Sequence, residues 1–267
     1  MQGEPLSRTA RLAVLIDADN AWASLVEPLL KEIAKYGSAN VKRIYGDWTS
    51  PHLNTWKDKL NKFAIQPIQQ FTYTSGKNST DSALIIDAMD LLYTSNFDGF
   101  CIVSSDSDFT RLASRIRESG LRVYGFGEKK TPEAFQKSCD KFTYTEVLKD
   151  AEQKKLQMTE TTIVKGEKAS NKNTKKESDK IDLELNKNKK LLKLVKNAYD
   201  AIAKEDGWAN LGELGGQLNK LSPSFDSKNY GYNQLGKLIR AIDIFEIKDT
   251  FYKNAQTVKA LYIKLKI

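Results

Sequence analysis

Leu12-Ala-Val-Leu-Ile-Asp-Ala-Asp-Asn20 begins as five apolar residues and ends in a cluster of short polar ones. An apolar run of that length with no polar alternation fits a strand buried on both faces, which places Asp17 at its C-terminal end. The same grammar returns in Phe100-Cys-Ile-Val-Ser-Ser-Asp-Ser-Asp-Phe109, where Asp106 and Asp108 follow the apolar run. Strand-like runs lie near 11–17, 40–46, 65–72, 99–104, 121–126 and 141–145. Helical spacing fills the intervals: Val26, Leu29, Leu30 and Ile33, then Leu84, Ile85, Ala88, Met89 and Leu92, then Phe109, Leu112 and Ile116. This βαβ rhythm predicts an α/β domain with a parallel sheet covered by helices on both faces. In such a sheet all strand C-termini share one edge, so aspartates far apart in sequence can meet there.

The chain of 267 residues carries 42 Lys+Arg against 34 Asp+Glu, a net charge of +8. Residues 1–150 hold 19 of each sign, whereas residues 151–267 hold 23 basic and 15 acidic. The whole excess therefore lies in the C-terminal part, which a polyanion would meet first. Two domains are expected from the length: residues 1–150, and residues 189–267 beyond a charged flexible linker at 151–188 rich in Lys, Glu, Asn, Ser and Thr. Only Cys101 and Cys139 are present, with no long apolar run and no leader-like N-terminus, so the expectation is a cytoplasmic protein without membrane contact.

Three strand-to-helix corners carry acid. Asp17-Ala-Asp-Asn20 holds more short polar side chains than one helix cap requires. Thr74-Ser-Gly-Lys-Asn-Ser-Thr-Asp81 is a turn-rich loop whose Asp81 enters a helix, a position the helix dipole alone could explain, and whose Lys77 could meet a substrate phosphate or water. Ser104-Ser-Asp-Ser-Asp-Phe109 surrounds two carboxylates with hydroxyls and backbone N–H groups, a hard oxygen-rich environment suited to Mg²⁺ or Mn²⁺. Asp87 and Asp90 fall away from Asp81 on the helical wheel and are assigned to a polar face. His52 is the sole histidine, beside Pro51, which excludes a two-histidine ribonuclease. Without a histidine partner neither cysteine suits nucleophilic work. Gly125-Phe-Gly127 reads as a turn, and there is no phosphate-binding loop of the Walker type.

These motifs, with the later Ser138-Cys-Asp-Lys-Phe-Thr-Tyr144, resemble the NYN domain of the PIN-like nuclease superfamily, in its LabA-like branch, over residues 11 to about 148. The resemblance implies a Rossmann-like three-layer α/β/α fold and a metal-dependent ribonuclease site. Asp17, Asp81, Asp106 and Asp108 match its acidic, metal-binding positions and Asn20 its supporting amide, with Asp19 open in role. The expected activity is Mg²⁺- or Mn²⁺-dependent hydrolysis of RNA, of the endonucleolytic kind.

Past the linker, an amphipathic stripe from Leu191 to Ile202 ends at Gly207. Helical patterns follow at Leu211–Leu221 and Tyr232–Ile242, then strand-like alternation at Ile244–Lys248 and Ala260–Leu265. Three helices and a hairpin fit a small winged-helix α+β module, and residues 189–266 resemble the OST-HTH, or LOTUS, domain. That resemblance implies RNA or a protein partner. Lys228, Tyr230, Tyr232, Asn233 and Lys237 mix cations, amides and rings in the way RNA contacts do, although the two tyrosines could equally anchor the helix to its core. Lys187, Lys189 and Lys190 could add phosphate contacts. Two rival readings stay open: a non-catalytic RNA-binding adaptor, and a phosphatase of the haloacid dehalogenase kind in which Asp17 and Asp19 form a nucleophile pair.

Overall fold

The computed structural model describes residues 8–71, 79–94, 96–150, 185–251 and 259–266. Lys77 and most of the expected linker lie outside them. The chain divides into two compact units, Met1–Met158 and Thr159–Ile267.

The N-terminal unit is built on six strands: β1 (Arg11–Asp17), β2 (Ser38–Gly46), β3 (Gln66–Gln69), β4 (Gly99–Val103), β5 (Arg122–Gly127) and β6 (Lys141–Tyr144). Their order across the sheet is β3-β2-β1-β4-β5-β6, and every neighbouring pair is parallel. Helices α1 (Val26–Ile33), α2 (Lys57–Phe63), α3 (Ser79–Thr94), α4 (Phe109–Glu118) and α5 (Glu133–Ser138) make the connections. Crossovers of this kind are right-handed, so reversing the direction of travel across the sheet moves the helices to the other face. The two cores record that reversal. Leu12, Val14 and Ile16 of β1 pack with Val26, Leu29 and Ile33 of α1, together with Leu53 and Trp56. Ala13 and Leu15, one residue out of phase, pack with Leu84 and Ala88 of α3, Leu112 and Ile116 of α4, and Phe135 of α5. The result is the expected three-layer α/β/α architecture, with a topological switch between β1 and β4.

Strand β4 is buried throughout and divides in the same way, Phe100 and Ile102 to one core and Cys101 and Val103 to the other. Phe135 is fully buried against Phe142, ring centroids 5.8 Å apart, so truncating either to Ala costs about 3–5 kcal/mol. Gly125 and Gly127 are strand residues of β5 rather than the expected turn. A Cβ at Gly125 would stand 2.5 Å from the Phe142 ring, and one at Gly127 2.5 Å from the Ser104 carbonyl. Glycine lets β5 pack against the Phe142 ring of β6 at position 125 and close onto the end of β4 at position 127.

The C-terminal unit contains α6 (Lys189–Asp200), α7 (Leu211–Leu221) and α8 (Leu235–Ala241), with β7 (Ala209–Asn210), β8 (Phe245–Phe251) and β9 (Lys259–Leu265) in an antiparallel sheet ordered β7-β9-β8. Leu191, Val195, Ala198, Leu214, Leu218, Leu238, Ile239 and Ile263 form its core. Asn188 and Asn210 cap α6 and α7, accepting from the N–H groups of Leu191 and Gly212. The Tyr199 hydroxyl donates to the Gly207 carbonyl at 2.6 Å and accepts from the Leu265 N–H at 3.3 Å, tying helix, turn and wing together. Among the described residues no helix is long and apolar enough to cross a membrane.

Candidate metal centre and nucleic-acid surface

At the switch between β1 and β4 the C-terminal strand ends present the aspartates. Asp81 stands in the first turn of α3 and is half-buried, Asp106 lies just beyond β4, and Asp108 occupies the N-cap position of α4. Asp108 makes no side-chain capping bond to that helix. Among the described residues, one carboxylate oxygen from each of Asp81, Asp106 and Asp108 can be chosen so that all lie within 4.8 Å of one another. Such crowding disfavours full ionisation. Asp81 is pushed up to about 6, first by burial and then by the charges of Asp17, Asp106, Asp108 and Asp19. A cation placed there relieves what the fold otherwise opposes, so the donor set fits a hard divalent ion.

Asp17 is different in kind. It is 1% exposed, and protein donors already use both its oxygens: the Asp19 N–H bonds Oδ1 at 3.0 Å, while Asn20 Nδ2 and Ser104 Oγ both donate to Oδ2 at 2.8 Å. Burial raises its pKa, and the three hydrogen bonds oppose that rise. Asp17 therefore stands beside the trio, close enough to be the strongest charge felt by Asp81, and holds the corner together. Its bonding also removes the capping explanation, because the next helical turn begins at Ala23 with Trp22 as its N-cap. It argues against the phosphatase alternative too, since a nucleophilic carboxylate needs an open oxygen and this one is enclosed.

Ser104 is one of the hydroxyls that the sequence sets around the two carboxylates, and its partners emerge only in the fold. Fully buried, it donates to Asp17 and accepts from the Asp106 N–H at 3.0 Å, so the acid of β1 positions the backbone that carries one carboxylate of the trio. Asp106 Oδ1 in turn accepts from the Asp108 N–H at 2.9 Å. Asp19 is exposed and contributes its backbone N–H and its charge. Asp87, assigned from the wheel to a polar face, accepts hydrogen bonds from Arg43 and from the Tyr45 hydroxyl. Both donors are on β2, so this acid clamps α3 onto the sheet. His52 is exposed, while Cys101 and Cys139 are buried free thiols pushed up by burial, Cys139 to about 12.

In the C-terminal unit Lys228, Asn233 and Lys237 are exposed. Tyr230 and Tyr232 are partly buried against the apolar core, Tyr230 with its ring 6.1 Å from that of Phe225. The tyrosines are thus chiefly anchors, and the cations and amides remain available to a ligand. Lys187, Lys189 and Lys190 are exposed as well. Lys248 and Lys264 lie 5.7 and 6.0 Å from the Trp208 ring centroid, a cation–π cluster that separation in sequence concealed.

The NYN domain matches residues 11–148, and the OST-HTH/LOTUS domain matches residues 186–253. The chain belongs to the NYN domain family. Among solved structures it is similar to a protein of unknown function from Vibrio parahaemolyticus, with 18% identity and a TM-score of 0.44 over 53% of this chain and 94% of the other. It is also similar to an uncharacterized protein from Nitrosomonas europaea, with 41% identity and a TM-score of 0.26 over 28% of this chain and 71% of the other. No curated protein matches it. NYN domains belong to the PIN-like nuclease superfamily, which typically uses divalent metals, and the OST-HTH/LOTUS match supports RNA binding.

Proposed function

We propose that this NYN protein is a Mg²⁺- or Mn²⁺-dependent endoribonuclease whose C-terminal OST-HTH/LOTUS unit recruits the RNA. The observation that carries the reading is the convergence of Asp81, Asp106 and Asp108 within 4.8 Å at the sheet edge. These three would hold the ion, with Ser104 keeping the Asp106 backbone in place and Asp17, itself held by Asn20, keeping Ser104 in place. A bound divalent cation supplies Lewis acidity toward a phosphodiester and neutralises charge building on the phosphoryl oxygens. The residues do the rest. The carboxylates repel an approaching phosphate until they are neutralised, which confines productive binding to the ion-loaded state. The Asp17–Ser104–Asp106 chain fixes ligand geometry before substrate arrives, so less ordering is needed in the transition state.

In the same reading residues 151–188 tether two domains, 1–150 and 189–267, in a cytoplasmic protein with both thiols reduced. Exposed Lys228, Asn233 and Lys237 engage RNA, Tyr230 and Tyr232 anchor the segment around them to the core, and Lys77 is the proposed phosphate contact of the N-terminal domain. Tethering raises the local RNA concentration at a site whose own charge is unfavourable to phosphate.

The test is cleavage of a labelled RNA by the purified full chain in Mn²⁺, in EDTA, and by an Asp106→Asn variant shown to fold. Mn²⁺-dependent products that vanish in the other two conditions support the enzyme. Cleavage that persists in the variant at saturating Mn²⁺ refutes the assignment, and RNA binding without any cleavage returns the adaptor reading.

A further inference from the structure

Trp22 is 62% exposed, although an indole of that size ordinarily seeks cover. It lies two residues beyond Asn20 in the loop that leaves β1. Its Nε1–H donates to Glu128 Oε1 at 3.0 Å, a contact spanning 106 residues of sequence. Glu128 follows the end of β5, and its own N–H donates to Ser105 Oγ at 2.9 Å. Ser105 precedes Asp106. Because the sheet runs β1-β4-β5, the Trp22 to Glu128 bond reaches from the corner after β1, past the end of β4, to the corner after β5. The indole is therefore held at the sheet edge that carries the acidic trio, through a Glu128 whose N–H bonds the residue before Asp106.

The tether is charged. Glu128 pairs with Lys130 at 2.9 Å, and its pKa is held down first by Lys130 and then by Trp22, so a carboxylate anion accepts the indole N–H hydrogen bond over the whole neutral range. Satisfying the only polar atom of the side chain weakens its attraction to water and restrains the ring. An exposed aromatic plane held next to a phosphodiester site suits one ligand chemistry best, the face of an unpaired nucleobase.

We propose that Trp22 is a stacking platform for one base of the RNA beside the scissile phosphate. The ring selects single-stranded RNA, because a base held in a duplex has both faces occupied by its neighbours. This rests on the ribonuclease reading for the meaning of the nearby site, and the experiment separates the two.

Trp22→Phe and Trp22→Ala are compared with the parent chain in two assays. The first is quenching of protein fluorescence by a single-stranded oligoribonucleotide, by the same strand in a duplex, and by strands with one abasic position walked along them. The second is Mn²⁺-dependent cleavage of those strands. Trp22→Phe is expected to abolish the part of the quenching due to residue 22 while retaining most of the cleavage efficiency. Trp22→Ala is expected to raise KM about tenfold with kcat nearly unchanged. One abasic position should impose the same loss on the parent and none further on Trp22→Ala. Quenching independent of residue 22, an unchanged KM, or a loss that ignores the abasic position overturns the platform while leaving the nuclease intact. Residue-22-dependent quenching without any cleavage leaves the platform and removes the nuclease. Binding of duplex as tightly as single strand overturns the selectivity.

Discussion

Replacing Asp81 with Asn should stabilise the ion-free NYN domain while crippling its metal site. The carboxyl of Asp81 moves from 3.8 to about 6 on folding. At about 1.4 kcal/mol per pKa unit, a shift of roughly two units corresponds to about 3 kcal/mol of unfavourable charge. The side chain is only half-buried, and solvent screening reduces the usable figure to about 1 kcal/mol. The helix dipole at the first turn of α3 opposes this by a few tenths of a kcal/mol and leaves the sign unchanged. Neutral Asn should therefore gain about 1 kcal/mol in EDTA at pH 7.5, or about 2–4 °C in the N-terminal thermal transition. The sign follows from proton binding. Between 3.8 and about 6 the folded state holds the proton and the unfolded state has begun to lose it, so stability falls as pH rises through this window. The advantage of Asn should be complete above pH 6 and nearly gone at pH 4. Mn²⁺ at a hundred times its Kd should add about 2.7 kcal/mol to the parent and much less to the variant, reversing their order. Calorimetry in EDTA and in Mn²⁺ reads all of this. A variant less stable in EDTA, or lifted by Mn²⁺ as much as the parent, would falsify the like-charge account of the site.

Asp17→Asn should lose activity and also about 1–3 kcal/mol of stability, because either amide orientation turns a donor toward Asp19 N–H or toward Asn20 and Ser104; chemical denaturation checks it, and a variant as stable as the parent contradicts the enclosed hydrogen-bond set. Ser104→Ala should retain the fold and weaken Mn²⁺ affinity about 10- to 100-fold, measured by titration calorimetry; unchanged affinity means that Asp106 needs no support from β1. Deleting residues 159–267 should raise KM for RNA more than it lowers kcat, and an unchanged KM in steady-state kinetics argues against recruitment by the C-terminal unit. Lys228→Ala with Lys237→Ala should weaken RNA binding and flatten its salt dependence by up to two contacts, read as the slope of log K against log salt; an unaltered slope places the phosphates elsewhere.

The apolar runs of β1 and β4 were decisive in sequence because a strand buried on both faces has no polar alternation to confuse with a helix. All six strands were anticipated within a few residues, and the parallel rule was enough to bring three acidic corners to one edge. Order across the sheet was not legible, since local pattern says nothing about which strand neighbours which. The same blindness explains the partners missed. Ser104 looks like any hydroxyl after a strand until Asp17 is seen opposite it, and the bond from Trp22 to Glu128 joins residues 106 positions apart. The wheel puts Asp87 on a polar face but cannot show that Arg43 and Tyr45 on β2 are its partners there. Gly125 was read as a turn because the close approach of Phe142 is a tertiary fact. In the C-terminal unit the helices and hairpin were legible, whereas the two-residue strand β7 was too short to leave a pattern.

The most direct measurement is the anomalous scattering of Mn²⁺ in crystals of the full chain. The account predicts one strong peak within direct coordination distance of carboxylate oxygens of Asp81, Asp106 and Asp108 together. No peak at saturating Mn²⁺, or a peak away from those three, contradicts it.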